Sequence, residues 1–214
     1  MAWTKGLTGK ALDEFKRVLN REEYHDEAKA TRDISPSTIR RRSRKKILFI
    51  QTGGTIDKDY PRKTKGYAFE ITTPAVARIL SAIDVDLDYR SITCCRKDST
   101  EITQKDRRNI LIACVKAPVR HIVITHGTDT IIETAKYLQD AAKWRKELRK
   151  KIIILTGAMK PQKFVDSDAA FNVGAAIGAL NVCKPGIYVA MSGRVLNPDK
   201  MERNLKTGLF QSKL

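Results

Sequence analysis

Residues 47–56, ILFIQTGGTI, constrain this chain more than any other stretch. Ile47, Leu48, Phe49 and Ile50 form an apolar run too short and too rich in β-formers for a helix. Such a run reads as a strand buried on both faces of a parallel sheet. It ends abruptly at Thr52-Gly53-Gly54-Thr55, where two glycines permit a sharp turn and a close backbone approach to a ligand. In an open parallel sheet, ligands sit beyond the carboxyl ends of the strands. Thr55, delivered there by the turn, is a candidate nucleophile or ligand clamp; a plain strand-to-loop turn is the competing interpretation.

The rest of the chain alternates in the same style. A Pro-, Gly- and charge-rich loop over 57–69 leads to a helix expected from Thr73-Pro74 to Ile83, then a strand over 87–95. Thr103 is placed to cap a helix running to Lys116. Strands follow over 119–125 and 151–156, with a helix over 131–148 between them. An Ala/Gly-rich helix over 166–180 and a last strand over 187–191 complete the pattern, and the tail from Asn197 reads as short and polar. Strand–helix alternation predicts an α/β fold: a flavodoxin-like parallel sheet flanked by helices. Residues 1–45 differ in texture. They hold an amphipathic stretch over 11–29 and end in the basic run Arg40 to Lys46, so they are expected to form a helical and basic extension to an α/β domain over 46–214.

Charge and cysteine content narrow the function classes. The net charge is +17, and residues 1–46 carry 13 Lys/Arg against 7 Asp/Glu, so the excess is spread along the chain. A basic surface can attract nucleic acid, anionic membrane or an acidic small molecule. No nucleic-acid motif accompanies the charge and aromatics are few, so a solvated lysine-rich surface is expected rather than nucleic-acid binding. No run spans a membrane and the first 20 residues lack a signal-peptide core. The four cysteines have no metal-ligand or disulfide-framework spacing, which predicts reduced thiols in a cytoplasmic protein with no metal and no cofactor.

Four polar clusters each follow a predicted strand: Thr52–Thr55, Asp98–Glu101, His126–Thr130 and Thr156–Lys160. A parallel sheet gathers them in one crevice. Threonines, an aspartate and glycines there suit acyl transfer; no GxxxxGK[ST] or GxGxxG loop offers phosphate chemistry. A threonine hydroxyl needs a neighbouring base, and backbone N–H groups at the glycine turns could hold an oxyanion. His126 is one candidate base, with a packed, backbone-bonded histidine as the alternative.

Thr52-Gly53-Gly54-Thr55-Ile56, Thr125-His126-Gly127-Thr128-Asp129-Thr130, and Thr156-Gly157-Ala158-Met159-Lys160-Pro161 with Asp168 and Phe171-Asn172 together resemble the bacterial-type L-asparaginases. The resemblance covers roughly residues 45–210, corresponding to the amino-terminal domain of that family; a carboxy-terminal asparaginase domain is not expected in this sequence. It implies hydrolysis of asparagine, with glutamine as second candidate, to the acid and ammonia through an acyl-enzyme on Thr55. By the same resemblance Tyr67 or Tyr60 supplies the activating tyrosine, Ser99 binds the substrate α-carboxylate and Asp129 its α-amino group. Thr128 and Asp129 belong with a lysine, whose place falls on Arg203 in a gap-free comparison, with Lys200 and Lys206 one turn either way. Gly54, Asp98 and Gly127, from the same turns, complete the expected substrate-binding set. A homodimer or homotetramer is the expected assembly. A catalytically weak amino-acid-binding protein, or an ammonia-supplying domain for an amidotransferase, are the alternatives.

Overall fold

The structure, a computed structural model, describes residues 45–60, 69–83 and 85–213. The expected amino-terminal helix, most of the basic run and Tyr67 lie outside the described residues. Among the described residues ten strands and four α-helices follow one another: β1 Lys46–Gly53, β2 Lys58–Asp59, β3 Glu70–Ile71, α1 Ala75–Ser81 and β4 Asp88–Lys97 come first. Then come α2 Gln104–Lys116, β5 His121–Thr125, α3 Ile131–Trp144, β6 Ile152–Thr156, α4 Ala169–Ala179 and β7 Gly186–Met191. Three short strands close the series, β8 Arg194–Leu196, β9 Met201–Arg203 and β10 Phe210–Ser212.

The main sheet runs β4-β1-β5-β6-β7-β8, with every neighbouring pair parallel except the antiparallel edge of β7 and β8. Its five parallel strands have the flavodoxin-like order, so the strand order reverses between β1 and β5. That reversal opens a crevice at the carboxyl ends of these two strands. The alternation along β1 shows why its apolar run is unbroken. Ile47 and Phe49 enter a core with Ala75, Val76 and Ile79 of α1 and Val173 and Ala176 of α4. Leu48 and Ile50 enter the opposite core with Ile110 of α2 and Ile131 and Leu138 of α3. Helices therefore cover both faces, and each fully buried isoleucine contributes about 1.5–3 kcal/mol.

Helix boundaries follow local capping chemistry. Thr103 and Asp106 form a reciprocal capping box at the start of α2. Thr73 does not cap α1: its hydroxyl accepts from Arg78, and the Asp57 carboxylate receives the Ala75 N–H at 2.7 Å instead. The α3 helix ends at Trp144 rather than Leu148, because backbone turns close at Leu148 and Lys151 and bury the Leu148 side chain. The tail is more ordered than its polarity suggests. Strands β9 and β10 pair antiparallel, placing Met201 and Phe210, both fully buried, in the α2/α3-side core.

Candidate active site

Three turns meet at the strand-order reversal, and glycine is what lets them meet. Gly54 has φ of 82°, and a methyl group there would lie 2.3 Å from the Gly127 Cα. A methyl on Gly127 would in turn lie 2.7 Å from Ser99 Cβ. The turns after β1, β5 and β4 are thus in backbone contact. Hydrogen bonds fix their floor: Thr52 Oγ1 donates to Thr125 O at 2.9 Å, and Gly54 N donates to Lys97 O at 2.9 Å. Gln51 to Gly54 and Ile56 to Asp57 are all buried, whereas Thr55 between them is only half-buried. Among the described residues its hydroxyl has no hydrogen-bond partner.

Opposite the Gly-Gly turn, Ser99 sits in a short 3-10 turn over Ser99–Glu101 whose ends are tied by a capping box between Asp98 and Glu101. The Ser99 hydroxyl lies 3.3 Å from Asp129 Oδ2 and accepts the Asp129 N–H at 3.2 Å, while Thr130 Oγ1 donates to Ser99 O at 2.7 Å. Thr128 is buried beside Gly127. Asp98 forms an ion pair of 2.7 Å with Lys58, which holds its carboxyl below the usual carboxylate range. The other Asp129 oxygen is taken by Arg203 Nη1, with Arg203 Nε donating to Gly208 O at 3.2 Å and its guanidinium 6.0 Å from the Phe210 ring. The β9–β10 hairpin therefore delivers Arg203, not Lys200 or Lys206, to Asp129. Both of those lysines are exposed, and among the described residues neither ammonium forms a hydrogen bond or ion pair with a crevice side chain.

Two residues serve the frame. His126 is fully buried. Its Nδ1 lies 2.8 Å from Gly127 O, which can only accept, so Nδ1 carries the proton. Its Nε2 then accepts from Thr134 Oγ1 at 2.9 Å, and that oxygen accepts from Arg107 Nε at 3.3 Å. These two bonds commit both ring nitrogens to the frame, as in the packed, backbone-bonded alternative, and burial pushes the imidazole pKa down to about 4. Tyr60 is exposed, with its ring 5.4 Å from Phe69, and no hydrogen bond joins it to Thr55.

Other contributors carried weak sequence signals. Asp57, two residues after Thr55, is buried; its backbone O accepts Thr72 N–H at 3.0 Å while its carboxylate caps α1. It therefore ties the Thr55 turn to the far end of the following loop. Burial raises its pKa to about 6. Asp168 accepts the N–H groups of Met159 at 3.0 Å and Lys160 at 3.1 Å and receives Asn172 Nδ2 at 2.8 Å, which holds the turn after β6. Asp168 belongs to the motif set that carries the family resemblance, whereas an acid in an IDKDY string has no spacing rule that would single out Asp57.

Among the described residues no group of His, Cys, Asp and Glu could hold a metal ion, and no helix is long and apolar enough to cross a membrane. The chain is 30% identical over 174 residues to an L-asparaginase of Thermococcus kodakarensis, covering 78% of this chain and 51% of that protein. It is 27% identical over 178 residues to a glutaminase-asparaginase of Acinetobacter glutaminasificans, covering 78% and 52%. The solved thermostable L-asparaginase of T. kodakarensis superimposes with a TM-score of 0.65 at 28% identity, over 78% of this chain and 51% of that one. The chain thus spans about half the length of the curated relatives it matches. A sequence model described as the asparaginase N-terminal domain matches residues 46–211, and the chain belongs to the asparaginase family.

Proposed function

We propose that this protein is an amidohydrolase that cleaves L-asparagine to L-aspartate and ammonia through a threonine acyl-enzyme. The observation that carries the proposal is the Gly54–Gly127 contact, which sets Thr55 and Thr128 on adjoining turns at the strand-order reversal. Thr55 Oγ attacks the side-chain amide carbon and its proton passes to a base, for which Tyr67 and Tyr60 are the candidates. Backbone N–H groups of the glycine turns stabilise the oxyanion, and ammonia leaves with one added proton. Water, activated in the same way, then hydrolyses the ester and returns Thr55. Ser99 is assigned to the substrate α-carboxylate and Asp129 to its α-amino group, with Thr128 beside them. L-Glutamine is the second candidate substrate, a homodimer or homotetramer the proposed assembly, and the cytoplasm the proposed compartment; one similar solved structure, from Campylobacter jejuni, is named a probable cytoplasmic L-asparaginase.

Arg203 on Asp129 favours one alternative, a weak or inactive enzyme that retains amino-acid binding. A lysine can give up a proton when buried, and arginine cannot. An ammonia-supplying role has its own support: residues of this chain are 38% identical over 93 positions to a glutamyl-tRNA(Gln) amidotransferase polypeptide of Methanococcus vannielii, covering 44% of this chain. Ammonia release from asparagine and glutamine by wild type and by Thr55→Ala discriminates these readings. Release abolished by the substitution supports the proposal; equal release by both proteins removes Thr55 from the mechanism. Aspartate binding without turnover supports the binding protein.

A further inference from the structure

Arg107 is a buried arginine on the inner stripe of α2. Arg107, Ile110 and Cys114 recur at helical spacing and all face the core. An apolar side chain at Arg107 would bury without penalty, whereas a guanidinium there must be given partners. Its ion pair with Glu133, at 3.0 Å, joins it to a mostly exposed carboxylate, and a pair of this kind adds little stability over an apolar residue of similar volume. Its other two partners give the position a purpose.

Both belong to turns of the crevice. Arg107 Nη1 donates to Ile102 O at 3.4 Å, and Ile102 closes the Ser99 turn by giving its N–H to Ser99 O at 3.3 Å. Arg107 Nε donates to Thr134 Oγ1 at 3.3 Å, Thr134 Oγ1 donates on to His126 Nε2 at 2.9 Å, and His126 Nδ1 donates to Gly127 O at 2.8 Å. The direction of this chain is fixed from both ends, because a guanidinium can only donate and a carbonyl can only accept. Burial, and after it the Arg107 charge, push the imidazole down to about 4, so it stays neutral and can accept at one nitrogen while donating at the other.

Gly127 O belongs to the same peptide as the Thr128 N–H. In a trans peptide these two groups point in opposite directions, so the bond from Nδ1 turns the Thr128 N–H away from the buried ring. The next donor along the turn, the Asp129 N–H, is already given to Ser99 Oγ. The Thr128 N–H has no acceptor among the described residues. Its turn is in backbone contact with Gly54, the residue before Thr55. An open donor beside the attacking hydroxyl suits a developing oxyanion, provided that it does not reorient as the charge appears. We propose that Arg107 is a positioning residue for the amide hydrolysis: through Thr134 and His126 it holds the Gly127–Thr128 peptide so that the Thr128 N–H meets the oxyanion formed at Thr55. This role rests on the amidohydrolase reading of the crevice, and adds to it which N–H stabilises the oxyanion and what keeps it in place. Arg107 itself touches neither substrate nor reacting atoms.

The test joins steady-state ammonia release from asparagine to nitrogen NMR of the full chain with labelled histidine. His126 is one of three histidines and is assigned by its absence from His126→Gln. Thr134→Val should lower kcat by about tenfold or more and leave KM within about twofold, since it loosens an oxyanion donor and spares the substrate-binding side chains. Thr134→Ser, which keeps the hydroxyl, should restore kcat. Arg107→Met should lower kcat to a similar extent, and Arg107→Lys, with one ammonium in place of the fork, should fall between it and wild type. The double variant Arg107→Met/Thr134→Val should be no slower than the slower single variant, because both substitutions break one chain. In each single variant the His126 Nε2 resonance should move downfield, as an unprotonated imidazole nitrogen does on losing a donor. Ile110→Val, one turn along α2, loosens the core without touching the chain and should lower the Tm but not kcat. Should Arg107→Met not fold, Arg107→Lys and Thr134→Val carry the same comparison.

A KM that rises with kcat intact would assign Arg107 to substrate binding through the Ser99 turn and overturn the proposal. So would losses that multiply in the double variant, an unchanged kcat in Thr134→Val, or an equal fall in Ile110→Val. No ammonia from wild type would remove the amidohydrolase reading and the positioning role with it. The Nε2 resonance separates that failure from a failure of the chain itself, which is overturned if the resonance stays in place in Arg107→Met.

Discussion

Arg203 occupies one oxygen of Asp129 while the Ser99 hydroxyl lies against the other at 3.3 Å. An aspartate engaged this way is neutralised at the point where a substrate ammonium is proposed to bind. The pair is partly exposed, so the competition it imposes is modest, of the order of 1 kcal/mol or less. Arg203→Ala should therefore lower KM for asparagine by a few-fold at most. Arg203→Lys should raise kcat, because a lysine there can take part in proton transfer. Steady-state ammonia release on both variants checks this. A KM that rises in Arg203→Ala would show that Arg203 itself holds the substrate.

The Gly54–Gly127 contact gives a sharper expectation. Alanine at Gly54 combines φ of 82° with a methyl 2.3 Å from backbone. Both costs fall on the turn that carries Thr55. Gly54→Ala should lose at least about 2 kcal/mol of stability together with activity. Gly174 in α4 is the matched control: nothing lies within 4 Å of a methyl there, so Gly174→Ala should stabilise by about 0.5–1 kcal/mol. Denaturant midpoints of the two variants moving the same way would refute the steric account.

What was legible in the sequence follows from how local its physics is. The unbroken ILFI run and the Thr103 cap are settled within a few residues, and β1 and α2 appear where they were expected. The end of α3 was not legible, because the buried Leu148 continues the helical pattern while the backbone has already turned. Strands β9 and β10 were not legible because Met201 and Phe210 are isolated apolar residues in a polar tail, buried only through contacts with distant helices. In the crevice, the polar clusters after each strand could be read from topology. The choice among Lys200, Arg203 and Lys206 could not, since it depends on the register of a two-stranded hairpin. Nor could the part played by Asp57, which depends on a contact with Ala75 across a loop.

Asp168 tests how the turn after β6 is held. Its carboxylate accepts two backbone N–H groups and the Asn172 amide, and Asn172 also donates to Gly157 O at 3.1 Å. Asp168→Ala leaves those donors without their acceptor and should cost about 1–3 kcal/mol. Asp168→Asn, which keeps one acceptor oxygen, should cost less. Thermal unfolding of the pair measures the difference; equal losses would place the stabilisation in packing rather than in these bonds.

Asp57 and His126 make opposite contributions to the pH dependence of stability. The Asp57 carboxyl titrates near 6 in the folded chain, up from 3.8 through burial, so folding takes up a proton between about pH 4 and 6. Stability from this group is full below about pH 4 and is lost as pH rises through 6. The His126 imidazole titrates near 4 when folded, down from 6.5, so folding releases a proton over nearly the same window and stability rises with pH. Each slope is about 1.4 kcal/mol per pH unit where it is fully developed, and the two cancel between about pH 4 and 6. Asp57→Asn keeps an oxygen for the Ala75 N–H but cannot titrate. Relative to wild type, its stability should climb by about 1.4 kcal/mol per unit from pH 4 to 6, and His126→Gln should show the reverse slope. Urea unfolding of the three proteins across that range reads the differences directly, with contributions from all other carboxylates common to each. Parallel profiles for wild type and Asp57→Asn would mean that Asp57 keeps an ordinary carboxylate affinity for protons.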